Sequence, residues 1–386
     1  MNYKQLHISI KYLKHIFVYA TLFVSMDNWA DDLSSNSPLA ISGFISVIGG
    51  KIFNGQLDDH YVGSKNIGGT SCPCYIADWA NSGVYNKTFS LTPESHAGIQ
   101  ADYSATTNLY FSGQLVTRGT DIPPNVQWAY LGYHFNDEWE IHIGRQRIPI
   151  YYYSTFQDVG VAFPWITPPP ELYGWEANNY NGASLRYNTN INGTNINASA
   201  FVGSEKVNNS AYYQLFLSGD TVVTWKNIIG GDVKITNGPL ILRADYLQTI
   251  AKDVNTDNFV NSTANLKMYG LAANLDFNSW FILSELTQLS RDFSQPNYTI
   301  RAPAYTLGAG IRYANWTPFL NFASYTEHTD NALLYQPQSY RRVSLTLRYD
   351  LDQSSAIKAQ LDHNVDVTEN LGGTVNLYRL SYDRVF

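Results

Sequence analysis

The chain has 386 residues, a formal net charge of −7, and an aromatic fraction of 15%. The acidic balance excludes a nucleic-acid-binding protein, because phosphate recognition needs a basic face. No apolar run past residue 30 approaches the roughly 18 residues of a membrane-spanning helix, which excludes a helical membrane protein but not a β-barrel, where apolar and polar residues alternate and average out.

The N-terminus carries Lys4, Lys11 and Lys14, then the apolar run 16–26 (IFVYATLFVSM), then Ala30 before Asp31 and Asp32. This order predicts a secretory signal peptide over 1–30, with Asn28 larger than the usual residue near the cleavage site, and one exported domain over 31–386. The competing reading is a buried strand at a cytosolic N-terminus. Loss of residues 1–30 removes three lysines and one aspartate and moves the balance from −7 to −9. The two cysteines form Cys72-Pro73-Cys74. Disulfides persist in exported proteins, but a bridge spanning one residue strains disulfide geometry and two lone cysteines are a weak metal site, so the stretch reads as a loop feature, with a strained disulfide and free thiols both left open. No cofactor is expected.

From residue 41 onward the chain reads as a march of strands. Leu109, Phe111 and Leu115 oppose Ser112, Gln114 and Arg118. Val343, Leu345, Leu347 and Tyr349 oppose Ser344, Thr346 and Arg348. Ile357, Ala359 and Leu361 oppose Lys358, Gln360 and Asp362. Each segment has one greasy and one wet face. About sixteen such strands are predicted, near 41–54, 94–104, 107–118, 126–135, 138–148, 180–188, 194–204, 222–236, 239–250, 264–277, 280–290, 303–313, 316–326, 340–350, 355–363 and 374–386. The segment 280–290, with Glu285, alternates poorly.

Short turns at 136–138, 237–238, 278–279, 314–315 and 352–353 alternate with long connections over 55–93, 149–179, 205–221, 251–263, 291–302, 327–339 and 364–373. A soluble sandwich has no reason to sort its loops so. A transmembrane antiparallel β-barrel does, with short periplasmic turns and longer external loops. Aromatic residues crowd the short turns: Phe135 and Trp139, Phe277 and Trp280, Tyr313 and Trp316. Such rings belong at a bilayer interface. The final stretch "YRLSYDRVF" alternates to Phe386, and an open sheet edge is not tolerated in lipid, so the last strand is expected to close on the first. Arg384 lies on the apolar parity.

A barrel of this size leaves an aqueous lumen. Parity places Gln100, Asp102, Gln114, Arg118, Arg186, Arg243, Asp245, Arg312, Arg348, Lys358, Asp362 and Arg379 inside. The connection 149–179 is long, aromatic and stiffened by Pro164, Pro168, Pro169 and Pro170. An exposed loop would be polar and loose; this one is suited to packing.

The terminal phenylalanine after alternating apolar residues, "GRQRIPIYYYSTFQDVGVAFPWITPPPELYG" and the upstream "VQWAYLGY" together resemble outer-membrane porins of Gram-negative bacteria, specifically a porin-like subgroup of the sixteen-stranded trimeric superfamily. The specific motif covers about 126–174. The resemblance implies an outer-membrane channel for passive diffusion of small hydrophilic solutes and ions, embedded in outer-membrane lipid and assembled as a homotrimer. It also implies that 149–179 folds into the barrel and narrows it, with acidic loop residues facing basic wall residues across the constriction. The loop candidates are Asp158 and Glu171. The wall candidates are Arg118, Arg145, Arg147 and Arg186, with Gln114 and Asp102 lining the pore. Strict alternation from Trp139, Ile141 and Ile143 aims Arg145 and Arg147 at lipid, where arginine is costly; a bulge at Gly144 would turn them inward.

Within channels, the aromatic loop mildly favours a substrate-selective pore over a general one. An outer-membrane enzyme is a weaker reading. Ser95, His96, His134 and His142 are available, but no nucleophile elbow or paired-histidine metal motif occurs. An exported soluble sheet protein is the remaining alternative.

Overall fold

A computed structural model gives the fold and describes residues 37–120 and 123–386. The predicted signal peptide, 1–30, lies outside them. The described chain is a closed antiparallel barrel of sixteen strands. We number them β1 (Leu39–Gln56), β2 (His96–Ser104), β3 (Leu109–Arg118), β4 (Asn125–His134), β5 (Trp139–Arg147), β6 (Asn179–Ile191), β7 (Thr194–Val207) and β8 (Val222–Asn237). The second half comprises β9 (Leu240–Asn255), β10 (Val260–Phe277), β11 (Trp280–Ser294), β12 (Asn297–Ile311), β13 (Trp316–Thr326), β14 (Ser339–Asp350), β15 (Ser355–Asp366) and β16 (Thr374–Val385).

Closure is made by β1. Its first half pairs with β2, from Leu39↔Tyr103 to Ser46↔His96, and most of its length pairs with β16, from Phe44↔Val385 to Gln56↔Thr374. Gly43 and Phe386 exchange backbone hydrogen bonds of 2.9 and 3.0 Å. The expected closure of last strand on first is therefore present, and no barrel strand is left with an open edge. In β16, Leu380 is 51% exposed while Arg379 and Asp383 are fully buried, so the two faces of the strand are divided as the alternation requires.

The exposed large apolar side chains form the outer belt: Ile99, Leu131, Ile143, Val202, Leu271, Leu307, Leu345 and Leu361 all lie on it. At the short-turn end the rings pair off. Trp139 meets Tyr187 at 4.7 Å, Phe277 meets Trp280 at 4.4 Å, and Trp316 meets Tyr349 at 4.5 Å. A closed barrel with an apolar outer belt and an aromatic girdle fits a lipid bilayer and nothing else. In the two-residue turn between β8 and β9, Gly238 sits at φ +52°, a conformation that costs glycine little.

Two of the expected long connections are strands instead. Residues 251–263 and 291–302 largely continue the ladder, and the turns there shrink to 256–259 and 295–296. The reason lies in the solvent. Above the apolar belt the outer face also turns polar (Lys252, Lys267, Arg301), so the two faces no longer contrast in sequence. The wall is thus tall at β9–β12, whose strands run to 15–18 residues, and low at β2–β5, whose strands have 9 or 10.

Candidate pore constriction

The loop joining β5 to β6 lies inside the barrel, touching both walls. Its local fold follows from its sequence. Pro168, Pro169 and Pro170 stiffen the approach, and Pro170 occupies the start of a single helical turn, Pro170–Tyr173, where its missing N–H costs nothing. Gly160 lies so close to β16 that a Cβ there would stand 2.1 Å from Asp383 Oδ1, so the loop needs glycine at that point.

One wall grips the loop with charge. Arg342 forms a two-pronged ion pair with Glu171, Nε–Oε1 and Nη2–Oε2 both 3.0 Å, and its third contact is Asp362 at 3.1 Å. Lys358 Nζ donates to the carbonyls of Gly160 and Trp165 at 2.6 and 2.5 Å and pairs with Asp383 at 3.2 Å. Arg379 joins Asp362 at 2.9 Å to Glu94, in the loop after β1, at 2.6 Å. Arg348 donates to the carbonyls of Val161 and Phe163. Gln360 accepts the Ile166 N–H at 3.0 Å. The side chains of Arg342, Lys358 and Arg379 have no exposed surface.

The opposite wall grips it with rings. Tyr151, Tyr153, Phe163 and Trp165 of the loop join Phe201, Trp225, Leu247, Met268, Phe281 and Phe319 of the wall in one apolar cluster. Trp165 stands edge-on to Phe319 at 5.1 Å. Single polar groups punctuate this side. Glu285 accepts the Tyr152 N–H at 2.9 Å and the Tyr173 hydroxyl at 2.5 Å, Arg243 donates to the carbonyls of Pro149 and Tyr151, and Arg291 pairs with Glu176 at 2.6 Å.

The candidate residues separate into five places. Asp158 bridges Arg118, at 2.9 Å, and Arg147, at 3.0 Å, while its carbonyl meets His96 Nε2 at 2.8 Å. Burial alone would raise the Asp158 carboxyl, but the two guanidiniums outweigh it and hold it well below the usual carboxylate range. Glu171 is with Arg342, a partner the sequence argument did not name. Gln114, Gln100 and Asp102 form a chain of hydrogen bonds of 3.1 and 2.7 Å, and Arg186 stands in register with Glu140.

Arg145 is the exception. Gly144 has φ +140°, yet the ladder runs unbroken through it, with Gly144↔Gly182 and Arg145↔Asn181. No bulge turns Arg145 inward. It stays in the outer row of Ala101, Gly113 and Ala129, where it pairs with Glu205 at 2.9 Å. Arg147 reaches the loop because it is the last residue of its strand.

The loop divides the lumen. Toward the long-loop end lies a cavity of about 410 Å³, and toward the short-turn end one of about 320 Å³. Beside Asp158, between the loop and the β2–β3 wall, a gap of about 50 Å³ remains, lined by Glu94, His96, Arg118 and Gln157. That space holds a few waters.

The four residues considered for catalysis do not assemble. Ser95 Oγ bonds both backbone groups of Ile48, at 2.8 and 3.1 Å, and His96 spans two carbonyls. His142 pairs with Glu140 at 2.8 Å and His134 lies 3.8 Å from the same carboxylate. The cysteines are joined as the disulfide Cys72–Cys74.

The closed barrel, its lipid belt and its inward loop define a membrane-spanning β-barrel with the porin fold. Among solved structures it is similar to the outer membrane channel DcaP of Acinetobacter baumannii, with a TM-score of 0.57 at 11% identity over 90% of this chain and 97% of that one. The anion-selective porin from Comamonas acidovorans gives 0.55 at 15% identity over 90% and 99% of the two chains. OmpT, an outer membrane protein of Vibrio cholerae in its trimer form, gives 0.56 at 12% over 90% and 99%. No protein-family model matches the sequence, and no curated protein matches it either. At these identities the likeness is one of fold.

Proposed function

We propose that the protein is a channel of narrow bore, admitting small hydrophilic solutes and ions by passive diffusion past the inward loop. The observation that carries this reading is the loop's double attachment, ionic on one wall and aromatic on the other. Wall charges that would line a wide pore are spent on the loop. What remains open beside Asp158 is small. The bore therefore favours selection by size over bulk leakage, closer to a selective pore than to a general one.

The channel works as a homotrimer in this reading. Three features of the low wall support it. Its strands are barely long enough to cross hydrocarbon. Its outer face carries a shallow apolar hollow of about 300 Å³, lined by Ile41, Ile99, Ala101, Gly113, Leu115 and Val126. The outer-facing Arg145 would be costly in lipid but acceptable against another subunit. Mass measurement in mild detergent tests the assembly, and a monomer there overturns it.

Conductance in planar bilayers tests the channel. Deleting residues 158–171 leaves the strand ladder intact and should raise single-channel conductance and loosen size exclusion. Unchanged conductance would place the constriction elsewhere.

A further inference from the structure

The geometry points to a binding site for an organic cation, an amine or quaternary ammonium, in the cavity on the long-loop side of the constriction. The proposal rests on the channel reading only in placing this site on the way to the pore; binding can be measured without conduction.

The cavity is of small-molecule size, about 410 Å³. Its walls are rings. Trp79 stacks on Tyr340 at 5.7 Å, Tyr298 stacks on Tyr335 at 6.3 Å, and Phe293 stacks on Tyr298 at 4.4 Å. Tyr212, Tyr213, Tyr325 and Trp175 add further rings to the lining. Electron-rich ring faces attract cations, and aromatic cages are a recurrent solution for quaternary ammonium groups.

Charge points the same way. The lining residues include three acids, Glu171, Asp253 and Glu327, and one base, Arg291. Glu171 is neutralised by Arg342, and Arg291 is held by Glu176. Asp253 and Glu327 make no ion pair among the described residues. Glu327 accepts from the Tyr325 and Tyr335 hydroxyls and the Gln338 N–H, at 2.6, 2.7 and 2.8 Å. Asp253 accepts from Tyr213 at 2.7 Å and from Ser262 at 3.4 Å, both on Oδ2. Its Oδ1 is buried without a partner, and the residue is 4% exposed. A carboxylate in that state is costly unless something positive reaches it. A cation with an apolar body would be drawn by the field of Asp253 and Glu327 and would meet the rings with its methyl groups. A small inorganic cation keeps its water and has no use for the rings.

The test uses the whole chain folded in detergent micelles. Choline is titrated against tryptophan fluorescence, since Trp79 and Trp175 line the cavity. Its uncharged isostere, 3,3-dimethylbutan-1-ol, is titrated in parallel. Choline should quench saturably, with the isostere at least about tenfold weaker, and Asp253→Asn and Glu327→Gln should each weaken choline about tenfold. Tyr298→Leu, which removes a ring and no charge, should also weaken it. Each variant is checked for the heat-modifiable gel mobility of a folded barrel. Glu327 lies outside the long strands, so Glu327→Gln carries the test if Asp253→Asn fails to fold. Equal affinity for choline and its isostere, or unchanged affinity in Glu327→Gln, overturns the site. Potassium conductance of the same preparation separates the two readings. Conduction without choline binding sinks this site alone, and binding without conduction sinks the channel alone.

Discussion

The wall built by β14, β15, β16 and β1–β3 and the wall built by β6–β13 hold the same loop by opposite physics. On the first, Arg342, Lys358 and Arg379 reach buried carboxylates and carbonyls through bonds of fixed length and direction. On the second, rings and aliphatic chains meet loop rings with little directional demand, and Glu285, Arg243 and Arg291 add polar anchors. Charge contacts fix position, because a buried ion displaced from its partner is expensive. Apolar contacts fix the fit, because they depend on area and shape. The loop is therefore registered by one wall and clamped by the other.

Removing one partner from the ionic wall should produce the largest effect. Arg342→Met leaves Glu171 as a buried, uncompensated charge, since its carboxylate has no exposed surface. The loss should be about 3–5 kcal/mol, read as denaturant unfolding in detergent. The double variant Arg342→Met, Glu171→Leu should recover most of it, because Asp362 keeps Arg379 and an apolar pair replaces an ionic one. No recovery in the double variant would mean that this wall is held by shape as well, and the contrast between the walls would fail.

The aromatic wall should respond by a different rule. Trp165→Ala removes a fully buried ring from between Phe319 and Tyr153. The cost should be about 3 kcal/mol of loop docking, with cavity formation its source. The readout is noisier conductance with little change in ion selectivity, because no charge has moved. A large selectivity change would show that the rings also position the charges.

The contrast also explains what the sequence made legible. The ionic wall alternates cleanly: Ser344, Thr346 and Arg348 against Val343, Leu345 and Leu347. Its strands and its inward Lys358, Asp362 and Arg379 were readable from parity alone. On the aromatic wall both faces are apolar at the height of the loop. Phe281 faces in and Leu286 faces out within one strand, so period two loses its contrast. Glu285 spoils the alternation of its strand because it is an anchor for Tyr152 and Tyr173. The rings and prolines of the connection 149–179 pointed to packing, and the porin resemblance implied that it enters the barrel. Its partners could not, because Glu171–Arg342 and Glu176–Arg291 join residues more than a hundred positions apart. Arg145 shows the reverse limit. A glycine suggested a bulge, whereas the ladder absorbed it without one.

The smallest effect expected concerns Asp158, where the ionic wall borders open space. Asp158→Asn keeps the side chain's size and removes one negative charge between Arg118 and Arg147. The gap beside it should then favour anions, and reversal potentials across a salt gradient should shift accordingly. Screening sets the condition for seeing this, since the Debye length falls from about 10 Å at 0.1 M to about 3 Å at 1 M; the shift should shrink as salt rises. The part of the wild-type selectivity that Asp158→Asn removes should persist from neutral pH down through the ordinary carboxylate value of 3.8, because the folded Asp158 carboxyl is held below it. The sign follows from that depression. The stabilisation that Asp158 gives the docked loop is complete above 3.8 and declines only as pH falls below that value toward the folded one. Loss of the difference between wild type and Asp158→Asn already at mildly acidic pH would mean that Asp158 is not clamped between two arginines, and that charge does not register the loop on this side.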